Sequence, residues 1–126
     1  MIAFELTPLE AAVLEMLCAG EDPKLEVLRA QLAGVTVVGR ELTGVGFFTQ
    51  LQVPADAPTL DENVGPFGDV EAVLEGVEHG AGFLLWFRNG RMSQLEGYSY
   101  GEPWPKDAGR FSLRYRDHRQ RDLSRL

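Results

Sequence analysis

Glu96, Tyr98 and Tyr100 stand two residues apart, and Glu102 and Trp104 continue that spacing into the loop Glu102-Pro103-Trp104-Pro105. If a strand persists through them, the first three line one face of a sheet, because side chains alternate along a strand. A carboxylate among aromatic rings is pushed toward its protonated form and can act as a general acid or base. That chemistry needs a second titrating group, and His79 is the one candidate, at the far end of the neighbouring strand. The plainer alternative has Glu96 hydrogen-bonded to backbone or to an arginine, with the tyrosines packing a sheet edge. The balance favours that alternative, so Glu96 and His79 stand as catalytic candidates and no residue is assigned a catalytic role.

Other chemistries find little support. Glu78-His79-Gly80 has the composition of a turn, and His118, between Asp117 and Arg119, reads as solvated. Two histidines so far apart, with no acid at ligand spacing, make a poor metal site. There is no nucleophile elbow, P-loop or nucleotide-binding glycine pattern, and Gly44-Val45-Gly46 is too short to count as one. Cys18, the single cysteine, falls in an amphipathic helical pattern and reads as a small buried apolar residue rather than a redox thiol. No cofactor or metal is expected.

The elements that must position these residues begin with a hairpin. Apolar segments flank Asn89-Gly90, a pair that tolerates the positive φ of a type I′ turn. A two-residue turn there sets Phe87 opposite Met92, Leu85 opposite Gln94 and Phe83 opposite Glu96. On the other side Trp86 faces Ser93 and Leu84 faces Leu95. Phe83, Leu85, Phe87 and Met92 should then lie under a second layer. Leu84, Trp86 and Leu95 would leave an apolar patch on the outer face, either a partner surface or a seat for residues 106–126.

Thr7-Pro8-Leu9-Glu10 is a helix start with a capping box, followed by Leu9, Val13, Met16 and Leu17 on one face and Gly20 as the stop. Asp22-Pro23 starts a second helix with Leu25, Leu28 and Leu32, ending at Gly34. Strands are expected over 35–41, 45–53, 69–76, 82–88 and 91–98, with a sixth at 111–115. In the second, Phe47, Thr49, Leu51 and Val53 share one side. Turns are expected at Thr43-Gly44 and at 78–80. Residues 54–68 form a loop, either functional or a bland crossover. Helices first and then strands argue for an α+β fold, an N-terminal helical hairpin on one face of a five- to six-stranded mainly antiparallel sheet.

A chain of 126 residues is read as one domain, 1–126, divided into a helical hairpin (1–34), a sheet (35–105) and a basic C-terminal segment (106–126). The net charge of −7 hides an asymmetry. Residues 1–105 hold 16 of the 19 acids and five bases, whereas 106–126 hold seven bases against three acids. A basic tail can bind nucleic acid, but the acidic body repels phosphate and competes for the tail. The tail is therefore expected on the acidic surface of its own chain or of a second copy. No apolar run is long enough to span a membrane, and Met1-Ile2-Ala3-Phe4 leads without the basic and apolar regions of a secretory signal. Together with one cysteine this favours the cytoplasm.

Leu95-Glu96-Gly97-Tyr98-Ser99-Tyr100-Gly101-Glu102-Pro103-Trp104-Pro105 resembles a family of small uncharacterised bacterial proteins. In these a Leu-Glu-Gly-Tyr-x-Tyr-Gly-Glu-x-Trp-Pro stretch follows a hairpin, and a helix begins near Thr-Pro-Leu-Glu. The resemblance covers about a quarter of the chain strongly and the rest in layout. It implies a bacterial, cytoplasmic origin and carries over no activity.

Three functional expectations follow. The first is a non-enzymatic protein-binding module, immunity-like or regulatory, anchored by Trp86, Tyr98, Tyr100 and Trp104, with Glu96 and Glu102 meeting a basic partner. The second is a small enzyme using Glu96 with His79, oriented by Tyr98 or Tyr100. The third is self-association as a homodimer, the basic tail of one copy on the acidic body of another.

Overall fold

The computed structural model describes residues 5–126, so residues 1–4, read above for a leader, lie outside it. Two helices, α1 (Pro8–Cys18) and α2 (Pro23–Ala33), precede six strands: β1 (Thr36–Leu42), β2 (Gly46–Gln52), β3 (Val70–Leu74), β4 (Val77–Arg88), β5 (Arg91–Ser99) and β6 (Phe111–Tyr115). The strands form one antiparallel sheet in the order β1-β2-β5-β4-β3-β6. The helix pair covers one face of it, α1 against β3 and α2 against β5. This is the expected α+β architecture.

Local chemistry explains the helices. Thr7 and Glu10 exchange the two capping-box hydrogen bonds, and Asp22 caps α2 through the Lys24 N–H. Each helix has proline in its first turn, where the missing N–H has no intrahelical partner to lose. The helices bury Leu9, Val13, Leu14, Leu17, Leu25 and Leu28 against Phe47, Leu51, Phe83, Leu85, Met92 and Leu95 of the sheet. Phe83 alone, fully buried, contributes about 2–3 kcal/mol. Burial also pushes the Cys18 thiol up to about 12, so it holds its proton and is inert at neutral pH. The α2 face departs from expectation: Leu32 is half-buried and Gln31 takes the core position. The Gln31 amide donates to the carbonyls of Pro58 and Gly90 and accepts the Met92 N–H, tying helix, loop and hairpin together.

The hairpin reverses at Asn89 and Gly90, both at positive φ, with Trp86 outside and Phe83 in the core. The expected register fails one step further on. Phe87 pairs with Met92, but Trp86 pairs with Gln94, Leu85 with Leu95, Leu84 with Glu96 and Phe83 with Gly97. Ser93 is the extra residue of a β-bulge, and every β5 side chain beyond it changes face. Leu95 is therefore fully buried in the core rather than outside with Leu84 and Trp86, and Glu96 stands on the outer face.

A second correction concerns residues 78–80. They are not a turn: the reversal is at Glu75-Gly76, where Gly76 takes φ +90°, and β4 already runs from Val77. Gly80, at φ +74°, absorbs the irregular pairing of β4 with β3 between Ala72 and Leu74.

Residues 54–68 cross between β2 and β3 without regular structure, joined to β4 by a Phe67–Leu85 bridge. The basic segment 106–126 does not cover the outer patch. It supplies β6 to the sheet edge and returns on the helix side. There Arg121 grips Asp69 through two bonds, Nε–Oδ2 at 2.6 Å and Nη2–Oδ1 at 3.0 Å. Arg121 also donates to the carbonyls of Leu17 and Ala19 at the end of α1. Arg125 bonds the Gly65 carbonyl at 2.6 Å and Lys24 the Leu126 carbonyl at 2.5 Å. The tail thus lies on its own chain. No helix among the described residues is long and apolar enough to cross a membrane.

Candidate functional site

Two regions gather side chains of functional interest, one on each side of the sheet. On the open face the ladder sets Phe48, Glu96 and Leu84 in one row and Gln50, Gln94 and Trp86 in the next. Both helices pack on the opposite side, and Trp86 remains 38% exposed. Its indole N–H donates to Glu96 Oε1 at 3.0 Å, and the Ser93 hydroxyl donates to its carbonyl at 3.2 Å. A groove of about 640 Å³ runs beside Trp86 and Gln94 toward Val38 of β1.

Tyr98 is flanked by Gly46 and Gly82. A Cβ at Gly82 would stand 2.5 Å from the Tyr98 hydroxyl oxygen, so the ring lies flat across that glycine. Tyr100 meets Tyr98 edge-on, with centroids 5.8 Å apart, and Arg116 donates to the Tyr98 hydroxyl at 2.8 Å. The Arg114–Glu71 ion pair, 2.7 Å, lies on the same row as Tyr98.

The catalytic candidates are not brought together. Glu96 pairs with Leu84, five residues along β4 from His79, which sets them roughly 17 Å apart along the strand. The group facing Glu96 is the Trp86 indole, a donor that neither takes up nor releases protons at working pH. Glu102 is also engaged. Its two oxygens accept the backbone N–H groups of His79 and Glu78, each at 2.9 Å, and those donors hold its carboxyl below the ordinary range. It orders the start of β4 rather than facing outward.

Trp104 departs from its expected neighbours. Gly101, at φ +90°, breaks the alternation, and the Trp104 N–H bonds the Gly44 carbonyl at 2.8 Å. Its ring packs edge-on against Phe47, an inner-face residue, with centroids 5.5 Å apart. There it lines a cleft of about 490 Å³ between the start of α1, the β1–β2 turn and residues 104–109.

Polar groups that the sequence reading did not connect lie in this cleft. Glu10, 2% exposed, accepts four hydrogen bonds. Oε1 takes the Thr7 N–H (2.8 Å) and Arg40 Nη2 (2.7 Å); Oε2 takes Arg40 Nε (2.9 Å) and the Thr49 hydroxyl in a short contact. Burial pushes the Glu10 carboxyl up, but these donors outweigh it and hold the group below its ordinary value. Arg40 and Thr49 are ladder partners, so the β1–β2 pairing aims both at the helix start. Glu10 was read only as part of a capping box. A bulge between Val37 and Gly39 hid the inward position of Arg40, because it breaks the two-residue period. No protein-family model, no curated protein and no solved structure matches the chain.

Proposed function

We propose that this chain is a non-enzymatic protein-binding module, regulatory or immunity-like, which docks its partner on the open face of the sheet. The observation that carries this reading is Trp86, a large aromatic 38% exposed beside a groove, with its one polar atom already held by Glu96. Burying such a ring gains apolar area at little entropy cost, and its pinned indole has less freedom to lose on docking. Leu84, Phe48, Tyr98 and Tyr100 widen the apolar surface around it. On this face Glu71 is paired with Arg114, and the Tyr98 hydroxyl accepts a hydrogen bond from Arg116. The partner's contact surface is therefore apolar at its centre, with a basic group to reach Glu96.

The acid–base reading loses support because Glu96 and His79 are distant. Nucleic acid is disfavoured by a net charge of −7 and by the engagement of Arg114, Arg121 and Arg125 within the chain. The same engagement weakens self-association through the tail. A bacterial, cytoplasmic setting accords with the resemblance at 95–105 and with a single buried thiol.

The test is a photo-crosslinking amino acid at Gln94, the ladder partner of Trp86, in the full chain inside cells. A heterologous adduct is expected, lost on Trp86→Ala and absent when the probe sits at exposed Glu15 on α1. With the adducted protein purified, Trp86→Ala should weaken binding by about 30-fold or more. An adduct of twice the chain mass would replace the foreign partner with a second copy. No adduct at Gln94 would sink the proposal.

A further inference from the structure

The sheet ends at β6, and its outer edge is a row of unpaired backbone groups. The bonds from the Arg116 N–H to the Asp69 carbonyl (2.9 Å) and from the Glu75 N–H to the Arg110 carbonyl (3.3 Å) fix the phase of the β3–β6 ladder. Residues 110, 112, 114 and 116 therefore turn their backbone groups to β3, and Phe111, Leu113 and Tyr115 turn theirs away from it. The outward N–H and C=O groups of those three residues have no hydrogen-bond partner among the described residues. Such a row is a template for another strand.

The two edges of the sheet differ in how they are guarded. β1 is interrupted by the bulge between Val37 and Gly39, and its Arg40 turns inward to Glu10, both features that discourage pairing. β6 pairs with β3 residue by residue from Phe111 to Tyr115 without a bulge. The arginines on and beside it lean back over the sheet instead of across the edge. Arg114 reaches Glu71 at 2.7 Å, Arg110 reaches Glu75 at 3.7 Å, and Arg116 donates to the Tyr98 hydroxyl at 2.8 Å. Two of the three charges face carboxylates, so the edge does not select a charged peptide.

What the edge offers besides backbone is apolar and self-complementary. Phe111, Leu113 and Tyr115 share the helix side of the sheet, pack on the core and keep part of their surface in water. Pairing about a two-fold axis at Leu113 sets Leu113 against its own copy and Phe111 against Tyr115 twice, and satisfies the outward groups of all three. Ser112 then stands opposite Arg114 on the open side. Like charges meet only beyond the strand ends, Arg110 against Arg116, both exposed and screened by water.

We infer that β6 is a homodimerisation edge: two copies pair antiparallel through residues 111–115 and join their six-stranded sheets into one. The axis stands perpendicular to the sheet, so both Trp86 faces open on the same side and stay uncovered, whatever docks there. Five residues a side make a small contact, and each copy carries a charge of −7, so the dimer is weak and salt tightens it. A dimer held by ion pairs of the tail would loosen with salt instead.

Sedimentation equilibrium on the full chain, up to about 1 mM, should show a reversible monomer–dimer equilibrium that moves toward dimer as salt is raised. Leu113→Pro removes an edge-facing N–H and no bond to β3, so it should keep the fold by circular dichroism and be monomeric. Ser112→Arg and Ser112→Glu, both at an exposed position, decide the matter should the proline variant unfold. Ser112→Arg sets like charges opposite Arg114 and should weaken the dimer by about tenfold, whereas Ser112→Glu should tighten it. Leu113→Cys should form a disulfide dimer on oxidation, since its Cα would stand about 5.5 Å from its copy, and Ser112→Cys should not. Trp86→Ala should leave dimerisation unchanged. A monomer at every concentration and salt overturns the inference. So does a dimer that salt dissociates, one indifferent to both Ser112→Arg and Ser112→Glu, or one lost on Trp86→Ala.

Discussion

Trp86 and Glu96 meet diagonally across the β4–β5 ladder: the indole N–H donates to the carboxylate at 3.0 Å, although Trp86 pairs with Gln94 and Glu96 with Leu84. Without the extra residue at Ser93 the two side chains would lie on opposite faces of the sheet. The bulge thus places an acceptor beside the indole on the open side. Diagonal neighbours at 7–8 Å between backbones are within reach of a long aromatic side chain.

Since both partners are partly solvated, Glu96→Ala should cost less than about 1 kcal/mol, within the range of cross-strand pairs. The Trp86 indole N–H resonance should nevertheless move, because it loses its acceptor. Urea denaturation and NMR on the same variant check both halves. A loss well above that figure would show that Glu96 anchors more than the indole.

Deleting Ser93 carries the opposite expectation. Removing the extra residue restores an unbroken two-residue period, which turns Leu95 out of the core and Glu96 into it. The loss of one buried leucine alone costs about 3 kcal/mol, and an unpaired carboxylate in the core adds to it. Ser93→Ala keeps the bulge and should be nearly neutral. Comparing melting of the two variants tests whether the register, rather than the serine side chain, matters.

Arg121 offers a third expectation. It holds Asp69 through two hydrogen bonds, caps carbonyls at the end of α1, and lies with its guanidinium carbon 4.4 Å from the Tyr115 ring centroid. A lysine has neither the planar fork nor the stacking surface, so Arg121→Lys should lose most of what Arg121→Ala loses, about 2 kcal/mol or more. A double-mutant cycle with Asp69→Ala by chemical denaturation measures the coupling. If Arg121→Lys matches the parent chain, the fork geometry is not what secures the tail.

How much of this was legible follows from which signals are local. The helix starts at Thr7 and Asp22, the reversal at Asn89-Gly90 and the inward set Phe47, Thr49, Leu51 and Val53 each depend on residues a few positions apart, and each is found as expected. The bulges at Val38 and Ser93 carry no such mark. Ser93 has no glycine beside it, and Gly39 beside Val38 was read as an ordinary strand residue, so alternation was carried one residue too far and Leu95, Glu96 and Arg40 were given the wrong surroundings or none. The turn at 75–76 was masked by a second glycine at 80. The divergence of Trp104 from Tyr98 and the meeting of Glu10 with Arg40 depend on contacts between distant segments, which no local pattern encodes.

The Glu10 cluster makes stability depend on pH in a definite direction. Burial alone would raise this carboxyl, but the donors from Arg40, Thr49 and Thr7 hold it below its ordinary value of 4.5 in the folded chain. Protonation therefore favours the unfolded chain, and stability rises with pH through this titration. The contribution is complete above the unfolded value and is lost as pH falls toward the folded one. Other carboxylates shift too, so the informative quantity is a difference between variants. Glu10→Gln keeps the shape and one acceptor oxygen but removes the carboxylate charge that faces Arg40. At neutral pH it should cost about 2 kcal/mol, discounted from a fully buried pair because the Arg40 side chain is 21% exposed. As pH falls below the ordinary value of 4.5 and through the lowered one, the gap between Glu10→Gln and the parent chain should close, since the parent then carries a protonated Glu10 as well. Urea denaturation across that range provides the measurement. A gap that stays constant with pH would mean that the cluster stabilises through shape and hydrogen bonds, with no share from the depressed carboxyl.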